Sequence, residues 1–224
     1  MRRREFLILS AASVGGILVY SLDGKASLAA QEKSSTDQQI RIPLKFFTQS
    51  EAMIVAAATS RIFPSDEEGP GAREAGVAIF IDRQLAGPWG RDGHRYAHPP
   101  FDETAAEEFG NQGAATPRQI YREGLKQLGG FDRLAPSEQD EALKKIEKGA
   151  FFNLLRRNTI EGMFCDPQHG GNVDMVGWQL IGFPGPRMSN FNEIEKYRGE
   201  PFRPKPVSLA QVTQHPNPPS EEEK

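Results

Sequence analysis

His94 and His98 stand four residues apart, the spacing that would set two imidazoles on one helical face as metal ligands. Gly93 precedes the pair and Pro99-Pro100 follows it, so both belong to a loop, and solvated or interface histidines are the competing reading. Asp166, His169, Asn172 and Asp174 offer a second group of oxygen and nitrogen donors, without the alternation and closing bidentate Glu of a calcium loop. A metal-dependent hydrolase would draw on His94, His98, Asp166 and His169. Cys165, the single cysteine, has no base arranged around it in sequence; it reads as a small buried apolar residue or as one half of an intermolecular disulfide. One cysteine also excludes an internal disulfide framework, a thiolate-only zinc site, an iron–sulfur cluster and a C-x-x-C-H haem attachment. The glycine fingerprint of a dinucleotide fold, the phosphate-binding loop and the G-x-S-x-G nucleophile elbow are all missing.

The densest stretch is Gly162 to Pro186, G-M-F-C-D-P-Q-H-G-G-N-V-D-M-V-G-W-Q-L-I-G-F-P-G-P. Asp166-Pro167 turns the chain, Gly170-Gly171 permit positive φ, and Asn172 can hydrogen-bond local backbone. Trp178, Ile181 and Phe183 present large apolar surface on this Gly/Pro frame, either to the domain's own core or to another protein. Asp166, Gly170, Gly171, Asn172, Trp178, Phe183 and Pro184 are therefore the candidate partner interface.

Five helices must carry this loop. Thr48-Gln49-Ser50-Glu51 is a capping box, preceded by Phe46 and Phe47 placed to staple the first turn, and Met53, Ile54, Ala57, Ala58 and Ile62 follow at helical spacing up to Pro64. A second helix is expected from Ala72 to Leu85, with Ala75, Ile79 and Phe80 inward, stopping at Gly87-Pro88. Trp89 to Gly113 lacks a sustained period and reads as a long loop containing one helical turn, functional or laid against a partner. Thr116-Pro117 starts a third helix through Ile120, Tyr121, Leu125 and Leu128. A fourth opens at Pro136 with Ala142, Leu143 and Ile146 apolar, and a fifth holds Phe151, Phe152, Leu154, Leu155 and Ile160. With no β-branched alternating run in evidence, the expected fold is all-α: a compact, irregular bundle with long loops.

Both ends differ from this domain, expected over 46–198. Arg2-Arg3-Arg4, the apolar run Phe6–Leu22 and the small residues Ala26 to Ala30 make a basic, an apolar and a cleavage region. Arg3-Arg4-Glu5-Phe6-Leu7 resembles the twin-arginine export motif, recognised through Arg3, Arg4, Phe6 and Leu7; an N-terminal membrane anchor is the rival, weakened by Gly and Ser in the run. That route carries folded cargo, so this domain either binds a cofactor or travels bound to something that does. Residues 1–30 are thus expected to be a signal peptide and 31–45 a polar tether. Removing the signal takes away four basic and two acidic residues and moves the net charge from −3 to −5, which gives no case for nucleic acid. Six of the 17 prolines fall in the last 24 residues, so 199–224 is expected to be an extended strap over a surface, anchored by Phe202, Val207, Leu209 and Val212, its last ten residues disordered.

These residues together resemble the gluconate 2-dehydrogenase subunit 3 family. The resemblance is carried by Arg3-Arg4-Glu5-Phe6-Leu7, Phe46-Phe47-Thr48, Ile62-Phe63-Pro64, Glu161-Gly162-Met163-Phe164, Asp166-Pro167, Gly170-Gly171-Asn172, Gly177-Trp178 and Ile181-Gly182-Phe183-Pro184-Gly185. His169 departs from it, at a position that is often Tyr in the family. The resemblance implies a non-catalytic small subunit of a periplasmic complex that acts on CH–OH donors such as a sugar or sugar acid. FAD would sit in a large subunit of the glucose–methanol–choline type, a multihaem cytochrome c could form a third subunit, and the complex would be membrane-associated. The small subunit would lend its twin-arginine signal to the flavoprotein. The family defines no catalytic residues on this subunit, and no catalytic, cofactor-binding or metal residues are expected in this chain. The rivals are a stand-alone periplasmic metal-dependent enzyme and a free-standing binding or chaperone module.

Overall fold

The computed structural model describes residues 17–20, 40–93, 95, 98–102, 104–109, 112–187, 199 and 204–214. The twin-arginine stretch, His94 and the last ten residues lie outside them.

The domain is all-α, as its periodicity predicts. The five expected helices are α1 (Gln49–Ile62), α2 (Val77–Ala86), α3 (Pro117–Gln127), α4 (Pro136–Ile146) and α5 (Ala150–Phe164). Two short ones follow, α6 (Val176–Ile181) and α7 (Leu209–Gln214). The long loop holds two single 3-10 turns, Trp89–Arg91 and Glu107–Phe109, rather than one helical turn. Ahead of the helices, β1 (Ile17–Tyr20) pairs antiparallel with β2 (Ile40–Pro43), Ile17 opposite Pro43 and Tyr20 opposite Ile40. No strand was expected there. Ile-Leu-Val-Tyr and Ile-Arg-Ile-Pro are short β-favouring runs, and such runs form a ladder only when the chain brings a second one alongside.

Helix α1 is the centre of the core. The capping box forms as read: the Thr48 hydroxyl accepts from Glu51 N–H, and Glu51 Oε2 accepts from Thr48 N–H at 2.8 Å. Ala52, Ile54, Val55, Ala56, Ala57, Ala58 and Thr59 are all buried, so α1 is enclosed on every side instead of showing one stripe. The alanines allow this, because small side chains let α2, α4 and α5 approach closely. Helix α2 starts five residues later than its apolar pattern suggests. Gly76 takes φ +70 and breaks the ladder, leaving Ala72 to Gly76 as a turn that buries Ala72, Ala75 and Gly76.

A buried carboxylate joins the chain's lead-in to this core. Asp82, in the middle of α2, accepts backbone N–H bonds from Lys45 (2.7 Å), Phe46 (2.9 Å) and Phe47 (2.8 Å). Three amide dipoles converge on one negative charge, the arrangement that makes burying it tolerable. Phe47 then enters the core against Tyr121, and the Phe46 ring carries the guanidiniums of Arg118 and Arg122 on α3 at 5.4 and 4.1 Å. Arg122 also pairs with Glu51, and Arg118 caps the open end of α2 through the Leu85 and Ala86 carbonyls. Burial alone would raise the Glu51 pKa, but hydrogen bonds from Arg122 and Thr48 outweigh it and hold it below the usual range. Neither phenylalanine simply staples the first turn of α1; each is claimed by α3.

Further along the core, Tyr121 donates to Asn158 Oδ1 (2.9 Å), and Asn158 donates to Glu161 Oε2 (2.8 Å), tying α3 to α5. Burial, reinforced by the charge of Glu161, pushes the Tyr121 pKa well up, so the phenol stays a donor. Ile160, one of the apolar residues of α5, is exposed; α5 buries Phe151, Leu155, Asn158, Thr159, Gly162 and Met163.

Asp82→Asn keeps the shape of the side chain but removes one acceptor oxygen and the charge. Urea unfolding should show a loss of about 3 kcal/mol, the scale of hydrogen bonds to a charged group. A loss below about 0.5 kcal/mol, within the range of neutral surface changes, would mean that the three amide bonds do not hold the lead-in.

Candidate functional site

The last carbonyls of any α-helix lack intrahelical donors. At the end of α5 the Gly162–Pro186 stretch supplies them. Trp178 Nε1 donates to the Phe164 carbonyl at 2.8 Å, and Asn172 Nδ2 donates to the Cys165 carbonyl at 2.8 Å. Asn172 Oδ1 in turn accepts the Gly177 N–H at 2.8 Å, so one buried amide both closes α5 and positions the start of α6. The Cys165 thiol leans on the Gly162 carbonyl at 3.6 Å. The D-P-x-x-G-G-N…G-W string is therefore an extended helix cap.

The cap is tight, and its glycines have physical reasons. A Cβ on Gly177 would run into the Met163 carbonyl, and one on Gly171 into the Gly162 carbonyl. Gly170, at φ +96, ends the 3-10 turn Pro167–His169 and has the Arg83 guanidinium where a side chain would stand. Asn172, Asp174 and Met175 also take positive φ (47°, 55° and 57°), a costly run for residues with a Cβ. Val173 N–H to the Ala75 carbonyl (3.1 Å) and the Asn172 bonds hold that run in place. Gly182, at φ +68, closes α6 with the paired bonds of a Schellman motif, Gly182 N–H to Gln179 and Phe183 N–H to Trp178.

The candidate interface residues thus share one loop but divide by direction. Asn172 is buried, and Trp178 is 4% exposed, packed inside the chain. Phe183 crosses the edge of the Trp178 ring at 5.1 Å and keeps its other side outward. Asp166 spends both oxygens on backbone: Oδ1 accepts Gln168 N–H at 3.1 Å, and Oδ2 accepts Leu209 N–H at 2.7 Å. The second bond brings in a segment that sequence order hid. Pro206 and Ser208 of the C-terminal strap are buried against the loop, and Val207 N–H donates to the Pro184 carbonyl at 3.1 Å. Contrary to the extended reading, the strap turns helical at Leu209. Ser208 and Gln211 cap α7 reciprocally, and Pro204 and Pro206 precede it where they break no helical bond. The Ser208-x-x-Gln211 spacing was the available signal.

His169, Asp174 and His98 are exposed, and among the described residues no three His, Cys, Asp or Glu side chains gather as metal ligands would. Burial above all pushes the Cys165 thiol up to about 11, with the neighbouring acids Asp166 and Glu161 adding to it against a hydrogen bond from the Gly171 backbone. At neutral pH Cys165 is a protonated apolar group.

Residues 49–185 match the profile of a family described as Gluconate 2-dehydrogenase subunit 3. No curated protein and no solved structure matches the chain. The matched span ends at Gly185, so it contains the α5 cap and excludes α7.

Trp178→Ala should lower stability by about 3–5 kcal/mol in urea unfolding, since it empties a packed site and frees the Phe164 carbonyl. Unchanged stability would turn Trp178 into a surface residue. In the folded protein Cys165 should react slowly with iodoacetamide at pH 8 and progressively faster as the pH climbs toward 11. A rate already on its plateau at pH 9 would refute the assignment of a half-buried, protonated thiol.

Proposed function

Because the chain belongs to the gluconate 2-dehydrogenase subunit 3 family, we propose that it is the non-catalytic small subunit of a periplasmic, FAD-dependent dehydrogenase of the glucose–methanol–choline type. In this reading the flavin and the CH–OH chemistry belong to the large subunit, which oxidises a sugar or sugar acid. A multihaem cytochrome c subunit passes electrons onward, and the complex is associated with the membrane. This chain stabilises the flavoprotein and lends it an export signal.

The family match is the observation that carries the reading. It is supported by how the distinctive residues of this chain are used. Asn172, Trp178, Gly171 and Gly177 are engaged in closing α5, and Asp166 is engaged in holding the strap. Groups committed to backbone in this way shape a rigid surface and are not themselves free to transfer protons. Arg3-Arg4-Glu5-Phe6-Leu7 supplies the address for the twin-arginine translocase, a route suited to a partner that must fold around FAD before crossing.

The test is co-export. The chain is co-expressed with its flavoprotein, and Arg3 and Arg4 are both changed to Lys. The flavoprotein should then be retained in the cytoplasm, with periplasmic flavin-dependent activity reduced at least about tenfold, since a receptor-read address tolerates such a change poorly. Full delivery to the periplasm would end the export role.

A further inference from the structure

The seam between the α5 cap and the strap has an inverted burial pattern. Successive odd-numbered amides of the strap bond to the loop, Val207 N–H to the Pro184 carbonyl and Leu209 N–H to Asp166 Oδ2. Gly185, at φ +89, lets the Val207 carbonyl approach where a Cβ would block it. Held this way, the strap turns Ser208 inward (7% exposed) and Val207 and Leu209 outward (40% and 42%). The loop does likewise, with Ile181 at 59% and Phe183 at 41%. A lone exposed leucine is ordinary, but four large apolar side chains along one seam, two of them displaced outward by a buried serine, mark a surface that is covered in use. Among the described residues of the two segments at the seam, 181–187 and 204–209, the charged ones, Arg187 and Lys205, are exposed and both basic, on a chain of net charge −3.

The geometry points to the dehydrogenase subunit as the occupant of this ledge, through an apolar patch bordered by carboxylates. The assignment rests on the small-subunit reading above and sharpens it. An apolar centre with a basic rim selects a complementary acidic rim, which steers the encounter while the buried apolar groups supply the affinity. It also moves the docking surface away from Asn172 and Trp178, which face inward, to Ile181, Phe183, Val207 and Leu209. The strap thereby becomes half of the surface, and Asp166 a positioning residue for it.

The full chain is purified with its dehydrogenase subunit from the native source, and the two are separated and titrated against each other. Ile181→Asp with Leu209→Asp should weaken binding about a hundredfold, the scale of two interface anchors, with helicity and unfolding midpoint unchanged. Lys205→Glu should weaken it less and flatten its dependence on salt. In parallel, a photoreactive benzophenone side chain at position 209 of the otherwise native chain should cross-link to the dehydrogenase subunit. This arm keeps the test decisive if the double variant fails to fold. Unchanged affinity in the double variant, or cross-linking to a second copy of this chain or to lipid, overturns the ledge. A native chain that binds no dehydrogenase subunit at all overturns the small-subunit reading and the ledge together. Native binding that survives the ledge substitutions overturns the ledge alone.

Discussion

The open C-terminal end of α5 governs much of this molecule. Helix α5 lies across α1, α2 and α3, so its last carbonyls emerge where water is scarce and need donors from the chain itself. Trp178 and Asn172 meet that requirement from the segment that follows, and doing so confines the segment to a narrow path. Carbonyls at Gly162 and Met163 leave room only for glycine at 171 and 177, and the left-handed backbone at 172, 174 and 175 is accepted in exchange for the bonds it makes. Once the loop is placed, Asp166 and the Pro184 carbonyl face outward as acceptors, and the strap answers them. Cap, loop, strap and ledge form one dependent series.

A second anchor works where the chain enters α1. Asp82 collects the amides of residues 45–47 and so fixes where the chain enters α1. Arg118 and Arg122 both lie over the Phe46 ring, and Arg122 reaches Glu51 in the first turn of α1. The lead-in to α1 is thereby joined to the core of the domain rather than to a loose surface loop. In both places polar side chains are used on backbone groups.

Much of the helical architecture was legible along the chain because its causes are local. Capping boxes at Thr48 and Thr116, Pro at the first position of α3 and α4, and apolar residues at helical spacing are each written within a few residues. The misreadings have equally plain causes. Gly76 stops a helix whose apolar pattern continues through it, because the backbone conformation there answers to Val173 and Gly170, about a hundred residues on. Ile160 is apolar and lies five residues after Leu155, yet α5 turns its polar Asn158 and Thr159 inward to partners on the chain. Asp82 in an apolar helix was a visible oddity, but its partners are backbone amides, which carry no sequence signature.

By itself, then, the sequence determined the helical class, the position of five helices, the family resemblance and the loop in which the distinctive residues lie. Tertiary structure alone decided which of those residues face inward. Trp178 and Phe183 are both large aromatics on one Gly/Pro frame; the first has a helix carbonyl within reach of its indole N–H and the second has none. Only the fold could join Asp166 to Leu209, 43 positions apart, and so turn Val207 and Leu209 outward beside Ile181 and Phe183. Local rules act over a few residues through backbone hydrogen bonds, whereas the direction of a side chain depends on what the rest of the chain has already placed beside it.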